Sequence, residues 1–317
     1  MSLLTGLYLL ISVCLFSQSD NNQHLVNCDP AWQYATIGLQ VGDRTLNTVD
    51  IDNSGSNEII CSSSYYWYIL HYNKLRNDYE FLWISEHYPS NITRINVFDI
   101  NNDYIMEIFV GFDDGSLKVY SGDTRQLIKS FPSSSSYTDK IRDIEYGDID
   151  NDGSPEIAVS TYTSITVYNP ADFSTEMVIP YPAHDFKIAN VDNDAALELI
   201  TSQGYVLECS QNNTTVEWIF NPDLTDYGYR IKVSDIDQDG KDEIFYAKTS
   251  LSVYDADLKT TKYVINEENT INDFVVMDVN NDGIKEIIYG QHTWDYNFFY
   301  AIIIYIGDLH IIYSCPI

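Results

Sequence analysis

The chain has 317 residues, with 47 acidic against 17 basic side chains, a net charge of −30 and 14% aromatic residues. That acidic excess excludes nucleic-acid phosphates and anionic lipid surfaces as primary partners, because both need clustered Lys and Arg. A merely soluble acidic surface would scatter its charge, whereas here the acids recur at intervals along the chain.

At the amino terminus, Leu3 to Phe16 is an apolar run of signal-peptide length, and Ser17-Gln18-Ser19 offers the small residues of a cleavage site. Residues 1–19 are therefore expected to be a signal peptide, and 20–317 a single secreted domain with no membrane insertion. Four cysteines follow that run, and their spacing matches no zinc motif. Cys28 and Cys315, near the two ends, are candidates for a disulfide; Cys61 and Cys209 lie in apolar strand contexts and read as buried thiols. Sequons at Asn91, Asn212 and Asn213 are candidate glycosylation sites of a secretory route. Ala31–Gly38 reads as an isolated strand supplied ahead of the repeats, expected to pair with the final repeat and close a ring.

From there the pattern Asp-x-Asp-x-Asp-Gly-x-x-Glu, followed by a β-branched run, recurs six times. The copies are Asp50, Asp52, Ser54, Glu58; Asp99, Asn101, Asp103, Glu107; and Asp148, Asp150, Asp152, Glu156. They continue with Asn190, Asp192, Asp194, Glu198; Asp235, Asp237, Asp239, Glu243; and Asp278, Asn280, Asp282, Glu286. First positions at 50, 99, 148, 190, 235 and 278 are separated by 49, 49, 42, 45 and 43 residues, and repeats begin near 46, 95, 144, 186, 229 and 272. A period of about 40–50 residues with several short strands per repeat marks a propeller.

Each repeat reads as four strands. Strand A precedes the acidic loop, as in Lys140–Tyr146; strand B follows it, as in Glu243–Ala247; strand C is a second apolar run such as Tyr205–Cys209; strand D is more variable, as in Phe81–Glu86. The expected fold is all-β, a propeller of six four-stranded blades, with seven as the alternative.

The spacing of the acids also carries chemistry. Calcium takes about 6–8 oxygen ligands from alternate loop positions, and glycine at position 6 permits the sharp turn. The loops at 148 and 235 have four acidic positions and the glycine. At the second loop Tyr104 stands in the glycine position, and at the fourth Ala195 does. The expectation is up to six structural Ca2+ ions, each tying a turn and cancelling clustered charge.

The loops DIDNDGSPEIAV, DIDQDGKDEIFY and DVNNDGIKEIIY resemble the FG-GAP/VCBS repeats of the integrin alpha-subunit propeller, over residues 46 to about 317. The resemblance implies a calcium-stabilised extracellular propeller used for adhesion or recognition. Unlike an integrin, the chain is expected to carry no leg domains or transmembrane helix after the propeller.

The long aromatic B–C turns at Tyr65–Tyr68 and His292–Tyr296 nominate Tyr66, Trp67, Trp294 and Tyr296 as a ligand face for an extracellular protein or glycan, with strand packing as the other reading. Two further functions stand beside recognition: a polysaccharide lyase, for which His184 beside Asp185 is the only tempting pair, and a structural module of an extracellular assembly.

Overall fold

The computed structural model describes residues 8–11, 32–35, 44–134, 136–210, 213–221, 230–266, 270–278, 282–292 and 299–305. Six antiparallel meanders follow one another along the chain, over 47–84, 92–131, 143–179, 186–219, 230–266 and 270–305. The first five have four strands each, neighbouring in chain order; the sixth has three among the described residues. The chain is all-β, a β-propeller with these six sheets as its blades. Blades 1 to 3 belong to one compact unit; blades 4 to 6, with the turn Asp148–Ser154, belong to a second.

The second strands explain why these segments become strands. Glu58–Ser62, Glu107–Phe112, Glu156–Ser160, Glu198–Thr201 and Glu243–Ala247 are buried at every position. Their residues are mostly Ile, Val, Phe and Ala, so both faces of the strand can pack against apolar neighbours. In the first unit, Ile60, Trp67 and Ile69 of blade 1 pack with Ile95, Ile108 and Val110 of blade 2. Phe109, Leu117 and Val119 then pack with Ile144, Ile157 and Val159 of blade 3. The second unit repeats this, with Ile200 and Val206 against Ile231 and Ile244, and Phe245 and Val253 against Phe274 and Ile287. Ion pairs join neighbouring first strands: Arg94 of Ile92–Phe98 to Asp143 of Asp143–Gly147, and Arg230 of Arg230–Ser234 to Asp273 of Thr270–Met277, at 3.3 Å.

Blades 1 and 2 approach each other closely at Gly122. A Cβ there would lie 2.6 Å from the carbonyl oxygens of both Ile51 and Met106, so no larger side chain fits. Strand Glu243–Ala247 falls where the sequence places it, and Asn213–Ile219 starts three residues before the expected Val216. The strand expected at 31–38 is Trp32–Ala35, and its partner is Tyr8–Ile11 rather than the last repeat. An apolar Tyr-Leu-Leu-Ile run can serve a strand as readily as the core of a signal sequence. Cys28 and Cys315 lie outside the described residues.

Trp67 corrects the proposed ligand face. It is 0% exposed, lies 4.4 Å from Trp83 and 5.4 Å from Tyr120 between ring centroids, and its Nε1 donates to the Tyr88 hydroxyl at 3.3 Å. An indole at the head of strand Trp67–Asn73 turns inward because strand side chains alternate faces and this position faces blade 2. Trp67→Ala should therefore lower the unfolding free energy by about 3–5 kcal/mol in urea titration. A loss below about 1 kcal/mol would show that the indole is not core.

Candidate functional site

Each acidic loop joins the first strand of its blade to the second, and its carboxylates close the turn from inside. The first-position aspartate accepts two loop amides. Ser54 and Gly55 donate to Asp50 at 2.9 and 2.7 Å; Asp103 and Tyr104 donate to Asp99 at 3.2 and 2.9 Å. The same pair recurs on Asp148, Asp235 and Asp278. Burial works the other way, but the amides of Gly55 and Ser54 hold the Asp50 carboxyl below its ordinary range. The position-6 glycine takes the left-handed conformation in four loops: φ is 83° at Gly55, 93° at Gly153, 91° at Gly240 and 89° at Gly283, whereas Ala195 of the fourth loop does not adopt positive φ. Tyr104, in the same place, adopts φ 68°, as its position in the repeat requires.

The ninth-position glutamate begins the second strand and is buried in all six loops. In at least four of them one carboxylate oxygen accepts the amide of loop position 2: Ile51 to Glu58 at 3.2 Å, Ile100 to Glu107 at 3.0 Å, Val191 to Glu198 at 2.9 Å and Ile236 to Glu243 at 3.0 Å. Burial raises the carboxyls of Glu58, Glu107, Glu198 and Glu243 above the ordinary range despite these amides. Such a group needs a compensating charge.

The loops meet that need differently. Oxygens of Asp50, Asp52 and Glu58 lie within 4.8 Å of one another, as do those of Asp148, Asp150 and Asp152, and of Asp278, Asp282 and Glu286. Hard oxygen donors in such groups fit a hard divalent cation. Asn280 lies outside the described residues. In the second loop Asn101 donates to Glu107 at 3.2 Å, so an amide meets part of the charge there. Ser54 contributes a backbone amide to Asp50.

Blade 5 supplies its own cation. Lys262 Nζ lies 2.6 Å from Asp237, 2.7 Å from Glu243 and 3.6 Å from Asp255. Although its own burial opposes the charge, the Asp237 and Glu243 carboxylates hold Lys262 above the ordinary lysine range. Nothing in the loop motif announces this lysine, which arrives from the fourth strand, Thr260–Asn266. Asp235, Asp237 and Asp239 still gather within 4.8 Å.

Blade 4 does the opposite. Asp192 and Glu198 are joined within 4.8 Å by Glu217 of Asn213–Ile219, a carboxylate outside the motif. Asn190 instead donates to the Asp194 carbonyl at 2.8 Å, and Asp194 accepts the Ala196 amide at 2.8 Å.

The other end of the strands carries a different chemistry. In the first unit, Tyr65 stacks on His87 at 5.2 Å between ring centroids, with Tyr66 edge-on at 5.1 Å. Tyr137, 72% exposed, stacks on Tyr162 at 5.5 Å, and the Arg142 guanidinium lies 4.8 Å over the Tyr162 ring. His87 also lines a cleft of about 210 Å³, together with Tyr88, Phe112, Asp114 and Lys118. Sequence reasoning found Tyr66 but missed His87, Tyr137, Tyr162 and Arg142, whose only signal was the tyrosine that directly follows the serine run 133–136. Trp294 and Tyr296 lie outside the described residues.

The remaining sequence candidates have structural employment. Asp185 is buried, accepts the Ile231 amide at 3.2 Å and lies 3.6 Å from Lys187; the His184 and Asp185 amides both donate to Ser202 at 3.1 Å. Cys61 and Cys209 are buried free thiols, with burial pushing each up to about 11. The Asn91 amide group donates to Asp113 at 2.7 Å, Asn213 is exposed, and Asn212 is outside the described residues.

Residues 35–167 match the family model of the BBS7 beta-propeller. No curated protein sequence matches the chain. Among solved structures, BBS1N in complex with ARL6DN is similar with TM-score 0.57 at 11% identity, over 80% of this chain and 78% of that one. Saccharomyces cerevisiae Sqt1 is similar with TM-score 0.59 at 10% identity, over 83% and 72%. The exotype rhamnogalacturonan lyase YesX is similar with TM-score 0.52 at 15% identity, over 86% of this chain and 56% of that one. At these identities the likeness is one of fold.

The family match overturns the FG-GAP/VCBS reading, because the model that fits the first blades is a BBS7 propeller and not an integrin-type repeat. With it go the secreted location and the adhesion role. The DxDxDG spacing misled because it specifies a turn between two strands. Its aspartates serve backbone amides first, and such a turn suits any propeller blade.

The buried acid of blade 4 gives a pH signature. Burial, then Asp192, Glu217 and Asp194, push Glu198 up to about 7 from an ordinary 4.5, with the Val191 amide opposing. Between those values the folded chain holds a proton that the unfolded chain has released, so stability falls as pH rises across that window. In chelator, the stability of Glu198→Gln should depend less on pH from about 4.5 to about 7 than that of the parent. Superimposable pH profiles in urea titration would contradict this.

Proposed function

We propose that this chain is a non-catalytic β-propeller that binds a protein partner through the aromatic end of blades 1 to 3. The carrying observation is Tyr137, 72% exposed and stacked on a tyrosine that Arg142 also covers. Tyrosine and arginine dominate binding hot spots, and a rigid stacked pair loses little freedom on docking. The cleft that His87 lines, at about 210 Å³, is smaller than the roughly 300–1,000 Å³ of ordinary small-molecule sites, which favours a macromolecular surface. A similar propeller, BBS1N, was solved in complex with ARL6DN, which supports a protein rather than a glycan as the ligand class. The structural employment of Asp185 argues against the one acid–base pair that a lyase reading offered.

The acidic loops at the opposite end of these strands we assign to structural Ca2+. Their donors are carboxylate oxygens, and each ion would neutralise charge that the fold has already buried.

The test of the binding role is capture on the immobilised full chain, with a Tyr65→Ala/Tyr137→Ala double variant and a Tyr104→Ala control. Tyr104 is 71% exposed but sits in an acidic loop, at the other end of the strands. The double variant should weaken the captured partner by about 30-fold or more, the scale of a 2 kcal/mol hot spot, while Tyr104→Ala leaves it unchanged. Equal loss in both, no loss in the double variant, or depolymerisation of rhamnogalacturonan by the parent chain would overturn the reading.

A further inference from the structure

Blades 4 and 5 differ at one equivalent position, and that position decides the charge balance of the acidic loop. In each, the fourth strand carries a β-bulge against the third. Val206 pairs with Trp218 and Leu207 with Val216, leaving Glu217 as the extra residue. Val253 pairs with Tyr263 and Tyr254 with Thr261, leaving Lys262 as the extra residue. A bulge re-aims the side chain it leaves unpaired. Here the two side chains reach the same place: Lys262 lies 2.7 Å from Glu243, and Glu217 gathers within 4.8 Å of Glu198 and Asp192. Glu198 and Glu243 are themselves equivalent, each beginning the second strand of its blade.

In blade 5 the bulge thus delivers an ammonium to the buried glutamate. In blade 4 it delivers another carboxylate, and the glutamate is left exceptional. Glu198 is 1% exposed, and its Oε1 is buried without a hydrogen-bond partner, while Oε2 accepts the Val191 amide. The nearby Lys259 is committed elsewhere, donating to the Glu217 carbonyl at 3.1 Å. Three carboxylates around an unsatisfied buried oxygen are a costly arrangement unless a cation completes it.

We propose that Asp192, Glu198 and Glu217 form a divalent-cation site in blade 4, selective for a hard ion such as Ca2+, whose place in blade 5 is taken by Lys262. Glu217 is thereby a ligand that the loop motif does not contain, and the residue at the bulge determines whether a blade recruits an ion or carries its own. The proposal deepens the structural-calcium assignment and rests on it.

Native mass spectrometry of the full chain, titrated with Ca2+ alone, counts the ions directly. Glu217→Gln should remove one ion relative to the parent. Glu217→Lys should also remove one, and should raise the melting temperature in chelator by supplying the missing positive charge. Lys262→Glu should add one. An unchanged count in all three variants, with the parent still loaded, would overturn this site and leave the general calcium assignment standing. A parent chain that binds no Ca2+ would overturn both. The glutamine variant adds no charge or bulk, so its count decides the matter even where the charge reversals fail to fold.

Discussion

The glutamate that begins each second strand is placed under two demands that its blade must satisfy together. In at least four of the blades one of its oxygens holds the amide of loop position 2, which fixes the turn against the strand it enters. Its burial at the same time removes the water that would otherwise carry its charge. Much of the surrounding chemistry answers that second demand. An asparagine donates in blade 2, a lysine crosses from the fourth strand in blade 5, and carboxylates gather in blades 1, 4 and 6. One backbone design therefore produces several electrostatic solutions, differing by single side chains.

Around that anchor the blades divide their labour by end. Turns between first and second strands carry the acids, and turns between second and third, with the connections between blades, carry the aromatics of blades 1 to 3. The middle is apolar and closely packed, with Ile60 and Ile69 against Ile108 and Val110 and Trp67 against Trp83 and Tyr120. The packed middle positions both ends, while the chemistry of each end can vary without disturbing it. This is the general condition under which one fold hosts unrelated binding roles.

The architecture was legible in the sequence because two periodicities coincide, the repeat of about 45 residues and the β-branched run after each glutamate. Strand bounds followed to within a few residues, and the left-handed turn at Tyr104 was readable from its place in the motif. What the sequence concealed depends on register. Lys262 and Glu217 act through a bulge, and one residue of slip reverses which way a strand side chain points. Trp67 misled for the same reason: its aromatic neighbours suggested a loop, but the strand begins at Trp67 itself and turns it inward. The family resemblance misled more deeply, since a shared turn chemistry does not carry a shared location or partner.

Hydrogen exchange at the Ile51, Ile100, Val191 and Ile236 amides tests the anchor directly, since each has a buried glutamate as its acceptor. In chelator, the account predicts that all four exchange as slowly as the buried second strands and far more slowly than the exposed amides of the same loops. Exchange at the rate of those exposed amides would contradict it, because the loops would then be held by something other than the buried carboxylates.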